Sequence, residues 1–153
     1  MIDCSPYGEI PFNTSAISVV TRGKYRNLTL KDSLIDDMEL NQLGGISSLE
    51  EVTLQNCGGF TPRGLAKLVR FGNVKRLSLA GSPLSQTDLE VLVESQLETL
   101  DLSHTAISNA DLTCLTNINS LKTLILHDVF VTIKNRTALE NANFHGKAGV
   151  FIR

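Results

Sequence analysis

What this sequence has little of narrows it first. It holds three cysteines, Cys4, Cys57 and Cys114, widely spaced and with no C-x-x-C pair. An odd, scattered set of thiols builds neither a disulfide framework nor a zinc site, and it favours a reducing compartment. Charge of one sign is also lacking: 14 Lys and Arg stand against 16 Asp and Glu, for a formal net charge of -2. That balance supplies no long-range pull toward nucleic acid or anionic lipid. No apolar run is long enough to span a bilayer, and Met1-Ile2-Asp3-Cys4-Ser5-Pro6 lacks the apolar core of a secretory signal. The expectation is an intracellular, cytoplasmic protein with no membrane association. Glycosylation acceptor patterns begin at Asn13, Asn27 and Asn135, and without entry to the secretory route they are chance matches. Gly44-Gly45 and Gly58-Gly59 are followed by neither the lysine and hydroxyl of a phosphate loop nor the third glycine of a dinucleotide fingerprint.

What is present is a globular composition, 42% apolar and 20% charged over 153 residues, enough for one domain with its own core. Within it runs a period. An aliphatic-x-aliphatic pair recurs at Leu28/Leu30, Val52/Leu54, Leu77/Leu79, Leu100/Leu102 and Leu124/Leu126, at spacings of 24, 25, 23 and 24 residues, with a weaker copy at Val150/Ile152. Each pair is preceded by an apolar residue three positions earlier and followed, three positions on, by a small residue. Two further apolar residues follow at a separation of three, such as Leu89/Leu92 and Leu112/Leu115. Alternation in the first half of the unit puts two side chains on one face of a short strand, and the later pair puts two on one face of a helix. A lone unit cannot bury both faces, so the units stack, strands beside strands and helices beside helices. At the ninth position the chain leaves the strand, and Ser33, Cys57, Ser82 and Thr105 are suited to bond the freed backbone there, whereas Val129 is not.

Tyr25 to Leu139 resembles the leucine-rich-repeat family, best in Leu97-x-x-Leu100-x-Leu102-x-x-Thr105-x-Ile107 followed by Leu112 and Leu115. The form is similar to the helix-bearing repeats of F-box adaptors, some bacterial effectors and subunits of large complexes, although the family's usual asparagine is missing from the ninth position. The resemblance implies an α/β leucine-rich-repeat solenoid, with parallel strands on a concave face and helices on a convex one. Residues 1–24 are expected to form an N-terminal cap, 25–139 about five repeats, and 140–153 a C-terminal cap or partial sixth repeat. Within the cap, Ile17 and Val19 alternate before a turn at Arg22-Gly23-Lys24, predicting a strand folded back beside the first repeat, with the extreme N-terminus irregular. The first 24 residues are too short and too poor in helical period for an F-box.

Function then rests on what the strands present outward. One column is Thr29, Thr53, Ser78, Asp101 and Ile125, and its neighbour is Asn27, Glu51, Arg76, Thr99 and Thr123. Toward the end the surface gains Asp101, Ser103, His104, His127 and Asp128, brought together by strands about 4.8 Å apart. With Arg76 these are the expected partner-binding residues. Ser, His and Asp also evoke a hydrolase, but an open strand surface offers no oxyanion hole and no pocket that excludes water, so an enzyme ranks last. No cofactor or metal is expected. Arg63, Lys67, Arg70 and Lys75 form a secondary basic patch, the first three on one helical face, without the stacking aromatics of an RNA-binding surface. The expectation is a non-catalytic module that binds a protein through its concave face or its ends, acting as a scaffold or adaptor. The alternative is a structural subunit of a large complex, assembled through an open C-terminal strand edge.

Overall fold

The computed structural model describes residues 2–3, 9–10, 25–107, 112–142 and 150–152. Leu28, Val52, Leu77, Leu100, Leu124 and Val150 lie in register across neighbouring strands. The described strands are β1 (Ile2–Asp3), β2 (Glu9–Ile10), β3 (Asn27–Lys31), β4 (Glu51–Gln55), β5 (Arg76–Ser78), β6 (Thr99–Asp101), β7 (Thr123–Leu126) and β8 (Val150–Ile152), in one sheet of order β2-β1-β3-β4-β5-β6-β7-β8. From β3 to β8 every pairing is parallel. Helices α1 (Asp37–Gly44), α2 (Pro62–Phe71), α3 (Gln86–Leu92) and α4 (Ile133–Asn141), with a 3-10 helix at Leu112–Asn117, lie on the connections between these strands. The fold is α/β. Alternate strand residues such as Leu28, Leu30, Val52 and Leu54 are buried with Leu40, Leu65, Leu89, Leu112 and Leu139 of the helices in a single apolar cluster.

Two expectations are corrected. The neighbour of β3 is β1, antiparallel, with Ile2 opposite Leu30 and β2 beyond it. The extreme N-terminus thus holds short strands where irregular chain was expected, and among the described residues these pair with Thr29 and Leu30 of β3. Ile17, Val19 and the Arg22–Lys24 turn lie outside the described residues. The fourth connection holds a 3-10 helix where an α-helix was expected. Leu112–Asn117 is rich in threonine and asparagine, poor helix formers, and the Thr116 hydroxyl bonds the Thr113 carbonyl at 2.7 Å.

The other helices begin at side chains that satisfy their free amides. Asp36 accepts from the Glu39 amide at 2.8 Å while Glu39 accepts from the Asp36 amide at 2.9 Å, a reciprocal cap. Thr61 precedes Pro62 at the start of α2, and Asp88 accepts from the Ser85 amide at 2.8 Å at the start of α3. Neighbouring segments are also stapled to each other. The buried Ser82 hydroxyl accepts from the Cys57 amide at 3.0 Å and donates to the Leu54 carbonyl at 2.9 Å. The Cys57 thiol reaches the Leu30 and Gln55 carbonyls at 3.5 and 3.4 Å, and burial pushes its pKa up, so it stays a protonated donor. Thr105 bonds the Leu102 carbonyl at 2.6 Å, whereas Ser33 is only half-buried and bonds Lys31.

Helices α1 and α2 touch at two glycines. A side chain at Gly44 would lie 2.7 Å from the Lys67 carbonyl, and one at Gly64 would lie 2.8 Å from the Asp37 Cα. Asp37 uses that closeness: its carboxylate accepts from the Thr61 amide at 2.7 Å and the Thr61 hydroxyl at 2.6 Å. The hydroxyl bond, with the Thr61 and Gly64 amides and the nearby Arg63 charge, holds the Asp37 pKa below its ordinary value against the opposing effect of burial.

Candidate functional site

The sheet face turned away from the helices carries two in-register rows, Asn27-Glu51-Arg76-Thr99-Thr123 and Thr29-Thr53-Ser78-Asp101-Ile125. The rows share a face because their members are two apart along each strand. Short hydroxyl side chains dominate, and the central strands enclose a depression of about 90 Å³ lined by Glu51, Thr53, Arg76, Ser78, Thr99 and Asp101. Arg76 sits at its rim with Nε donating to Glu51 Oε2 at 2.8 Å, a bond that raises the guanidinium pKa and fixes a flexible side chain.

Asp101 is the hub of the C-terminal half. Its Oδ2 accepts from the Ser78 hydroxyl at 3.1 Å, and its Oδ1 accepts from the Ser103 amide at 2.9 Å and the Ser103 hydroxyl at 2.6 Å. The Ser103 oxygen in turn accepts from the His127 amide at 3.2 Å. Ser103 is therefore 5% exposed and engaged on both sides. It links the ends of neighbouring strands and is largely withdrawn from solvent. His104 and Asp128 form the exposed part, with side chains 61% and 74% accessible and Nδ1 to Oδ2 at 3.1 Å, an ion pair when the imidazole is protonated. His127 is half-buried beside them. Of the residues singled out from sequence, Asp101, Ser103 and His127 join through one hydrogen-bonded network, to which the His104–Asp128 pair is tied by the His104 amide donating to the His127 carbonyl at 2.8 Å.

The backbone explains why that pair stands out. Asp32, Asn56, Gly81, His104 and Asp128, each two residues past the second aliphatic of its strand, all have positive φ, from 50° to 70°. Left-handed backbone is disfavoured for most side chains and least so for Gly, Asn, Asp and His. All five residues in this column, of four types, are drawn from that short list. Asn56 donates from Nδ2 to Asp32 Oδ1 at 2.9 Å, and His104 repeats the contact with Asp128. Between them a Cβ at Gly81 would strike Asn56 Oδ1. The sequence reading missed this column, although its residue types at a fixed spacing were the available signal.

The basic patch divides in two. Arg70 pairs with Glu94 at 2.7 Å, Lys75 with Glu98 at 3.7 Å and Arg76 with Glu51 at 2.8 Å. Glu98 also holds Lys122 at 2.7 Å, and the two lysines keep its carboxyl below the ordinary range, Lys122 foremost. Arg63 and Lys67 have no ion pair among the described residues. They line a pocket of about 360 Å³ between α1 and α2 with Asp37, Met38, Asn41 and Gly64.

Among the described residues no group of three or more His, Cys, Asp or Glu is placed to hold a metal ion, and no helix is long and apolar enough to cross a membrane. Comparison with known proteins gave no match, either to a protein-family model or to a curated protein.

Proposed function

We propose that this chain is a leucine-rich-repeat solenoid that binds a protein partner on the outward, concave face of its parallel sheet. The observation that carries this is the pair of continuous in-register rows, polar up to Ile125 and half of them Thr or Ser, several of them held by hydrogen bonds and ion pairs within the face. Thr and Ser lose little side-chain entropy on contact, and Arg76 and Asp101 are already oriented, so a partner meets a surface that needs little ordering. The exposed His104–Asp128 pair and Arg76 supply directional contacts at its margins, in the manner of a polar rim. The strand period of 23 to 25 residues from Leu28 to Leu124, each turn returning through a helix, supports the repeat assignment.

The Ser103 hydroxyl bears on the competing hydrolase reading. A nucleophilic serine is held by a histidine ring nitrogen, but here the hydroxyl is buried, donates to Asp101 and meets His127 at its backbone amide. This favours a non-catalytic role. Cys57, acting as a buried hydrogen-bond donor, fits an intracellular, reducing setting. A second reading, a subunit of a larger assembly, is favoured by β8, which pairs with β7 on one side and with no strand on the other among the described residues.

The two readings separate by affinity capture from native lysate with the wild type and a His104→Ala, His127→Ala, Asp128→Ala variant, alongside light scattering of the purified chain. Loss of one stoichiometric partner with the variant, from a chain that is monomeric alone, is the expected result. Equal recovery of one large complex by both proteins, or self-association of the purified chain, contradicts sheet-face binding and supports assembly.

A further inference from the structure

The pocket between α1 and α2 combines cations with exposed apolar surface. Around it the basic side chains are neutralised by the next segment, as Arg70 is by Glu94 and Lys75 by Glu98. Within it Arg63 and Lys67 make no ion pair among the described residues; Asp37 feels the Arg63 charge but accepts hydrogen bonds from Thr61. Two cations and one carboxylate leave the lining net positive, on a chain whose formal charge is -2. Apolar surface adjoins the charge: Met38 is 64% exposed in the pocket wall, and Lys67 Nζ lies 4.8 Å from the ring centroid of Phe71, itself 70% exposed. The close approach of α1 and α2 at Gly44 and Gly64 fixes the two walls relative to each other. A volume of about 360 Å³ is at the small end of ligand sites, suited to one or two side chains.

We propose that this pocket is a second protein-docking site, which takes an acidic side chain of a partner segment on Arg63 and Lys67 and a neighbouring apolar side chain on Met38 and Phe71. Charge complementarity selects the acid. Arginine and lysine give the carboxylate charge-assisted hydrogen bonds, and the exposed apolar pair supplies the area that makes the contact more than an ion pair. An RNA strand is the poorer occupant, since a single exposed ring stands beside the cations and offers no run of stacking surfaces. The site lies on the helical side, so it stands or falls separately from the sheet face.

The test is selection of a displayed random-peptide library on the full chain, followed by fluorescence anisotropy of the enriched peptides and of a polyuridylate oligomer. Enrichment of Asp or Glu next to Leu, Met or Phe is expected, with amide shift changes at Met38, Asn41, Arg63 and Lys67 on titration. Binding should weaken about tenfold to a hundredfold in an Arg63→Ala, Lys67→Ala variant, as expected when charge-assisted hydrogen bonds are lost, and hold in an Arg136→Ala control. Enriched peptides without acids, shift changes confined to other residues, or equal affinity in the double variant overturns the proposal. Oligomer binding that depends on Arg63 and Lys67 without any peptide doing so also overturns it, in favour of nucleic acid.

Discussion

Replacing Gly64 by alanine tests the packing most sharply, because intrinsic propensity and tertiary contact predict opposite signs. Within a helix, Gly→Ala is worth up to about 1 kcal/mol of added stability. Here the new Cβ would lie 2.8 Å from the Asp37 Cα, where carbon atoms normally rest about 3.5–4.0 Å apart. The obstacle is backbone and cannot rotate away, so the start of α2 must retreat from α1 by about 1 Å, the difference between those separations. Retreat stretches the 2.7 and 2.6 Å bonds from Thr61 to the Asp37 carboxylate. Overpacking costs about 1–3 kcal/mol and hydrogen bonds to a charged group about 1.5–3 kcal/mol. Because these bonds are solvent-accessible we take the lower ends, for one or both bonds, and after subtracting the helical gain the net loss is about 1.5–3 kcal/mol. With a urea slope of about 2 kcal/mol per molar, the unfolding midpoint should fall by about 1 M at unchanged slope. Gly58→Ala is the control. Its Cβ would meet Pro83 Cγ and Cδ at an ordinary 3.6 and 3.9 Å, and stabilisation of about 0.4–1 kcal/mol is expected from the stiffer unfolded chain. A Gly64→Ala protein as stable as wild type refutes the close approach of α1 and α2.

Three further outcomes follow from the same contacts. Asp37, whose pKa is depressed chiefly by the Thr61 hydroxyl, contributes stability that is complete above its ordinary value of 3.8 and is lost as pH falls through the lower folded value; Asp37→Asn should flatten that part of a stability–pH curve measured by urea unfolding, and an unchanged curve contradicts the assignment. Ser82→Ala leaves the buried Cys57 amide without its acceptor and should lower stability by about 1–3 kcal/mol in the same assay. At the left-handed positions, Asp128→Val should lower thermal stability, costing about 1–2 kcal/mol for a backbone that branched side chains resist, while His104→Gly should be neutral or slightly stabilising; equal melting temperatures for the two variants exclude that constraint.

Much of the α/β fold was legible because one period controls it. The spacing that places Leu28, Val52, Leu77, Leu100 and Leu124 in the sequence is the spacing that sets them side by side in the sheet. The two outward rows came with it, since alternation along a strand assigns faces without tertiary information. Less was legible where the outcome depends on contacts between units. Ser103 and Asp101 share a surface in a strand diagram, yet their 2.6 Å bond removes the serine from that surface. Lys75 and Arg76 look like free charge along the chain but meet Glu98, just before β6, and Glu51 of β4. Asp36 and Asp37 carried a readable signal that was passed over: Asp36-x-x-Glu39 is a capping pattern, while the Asp37 contact with Thr61 spans 24 residues and needs the packed helices. The β1 pairing with β3 rests on two residues, too short a run for any period to reveal.

The central claim is that the outward face of the sheet holds the partner. Thr53 and Thr99 lie half-buried on that face, and tryptophan at both positions suits a strand while raising bulk where a partner would rest. Glu90→Trp on α3 adds the same bulk to the exposed helical side. Calorimetric titration of the captured partner against these two proteins is the direct measurement. Binding should be abolished by Thr53→Trp with Thr99→Trp and kept by Glu90→Trp, with both variants unfolding near wild type; full affinity in the sheet-face variant would contradict the account.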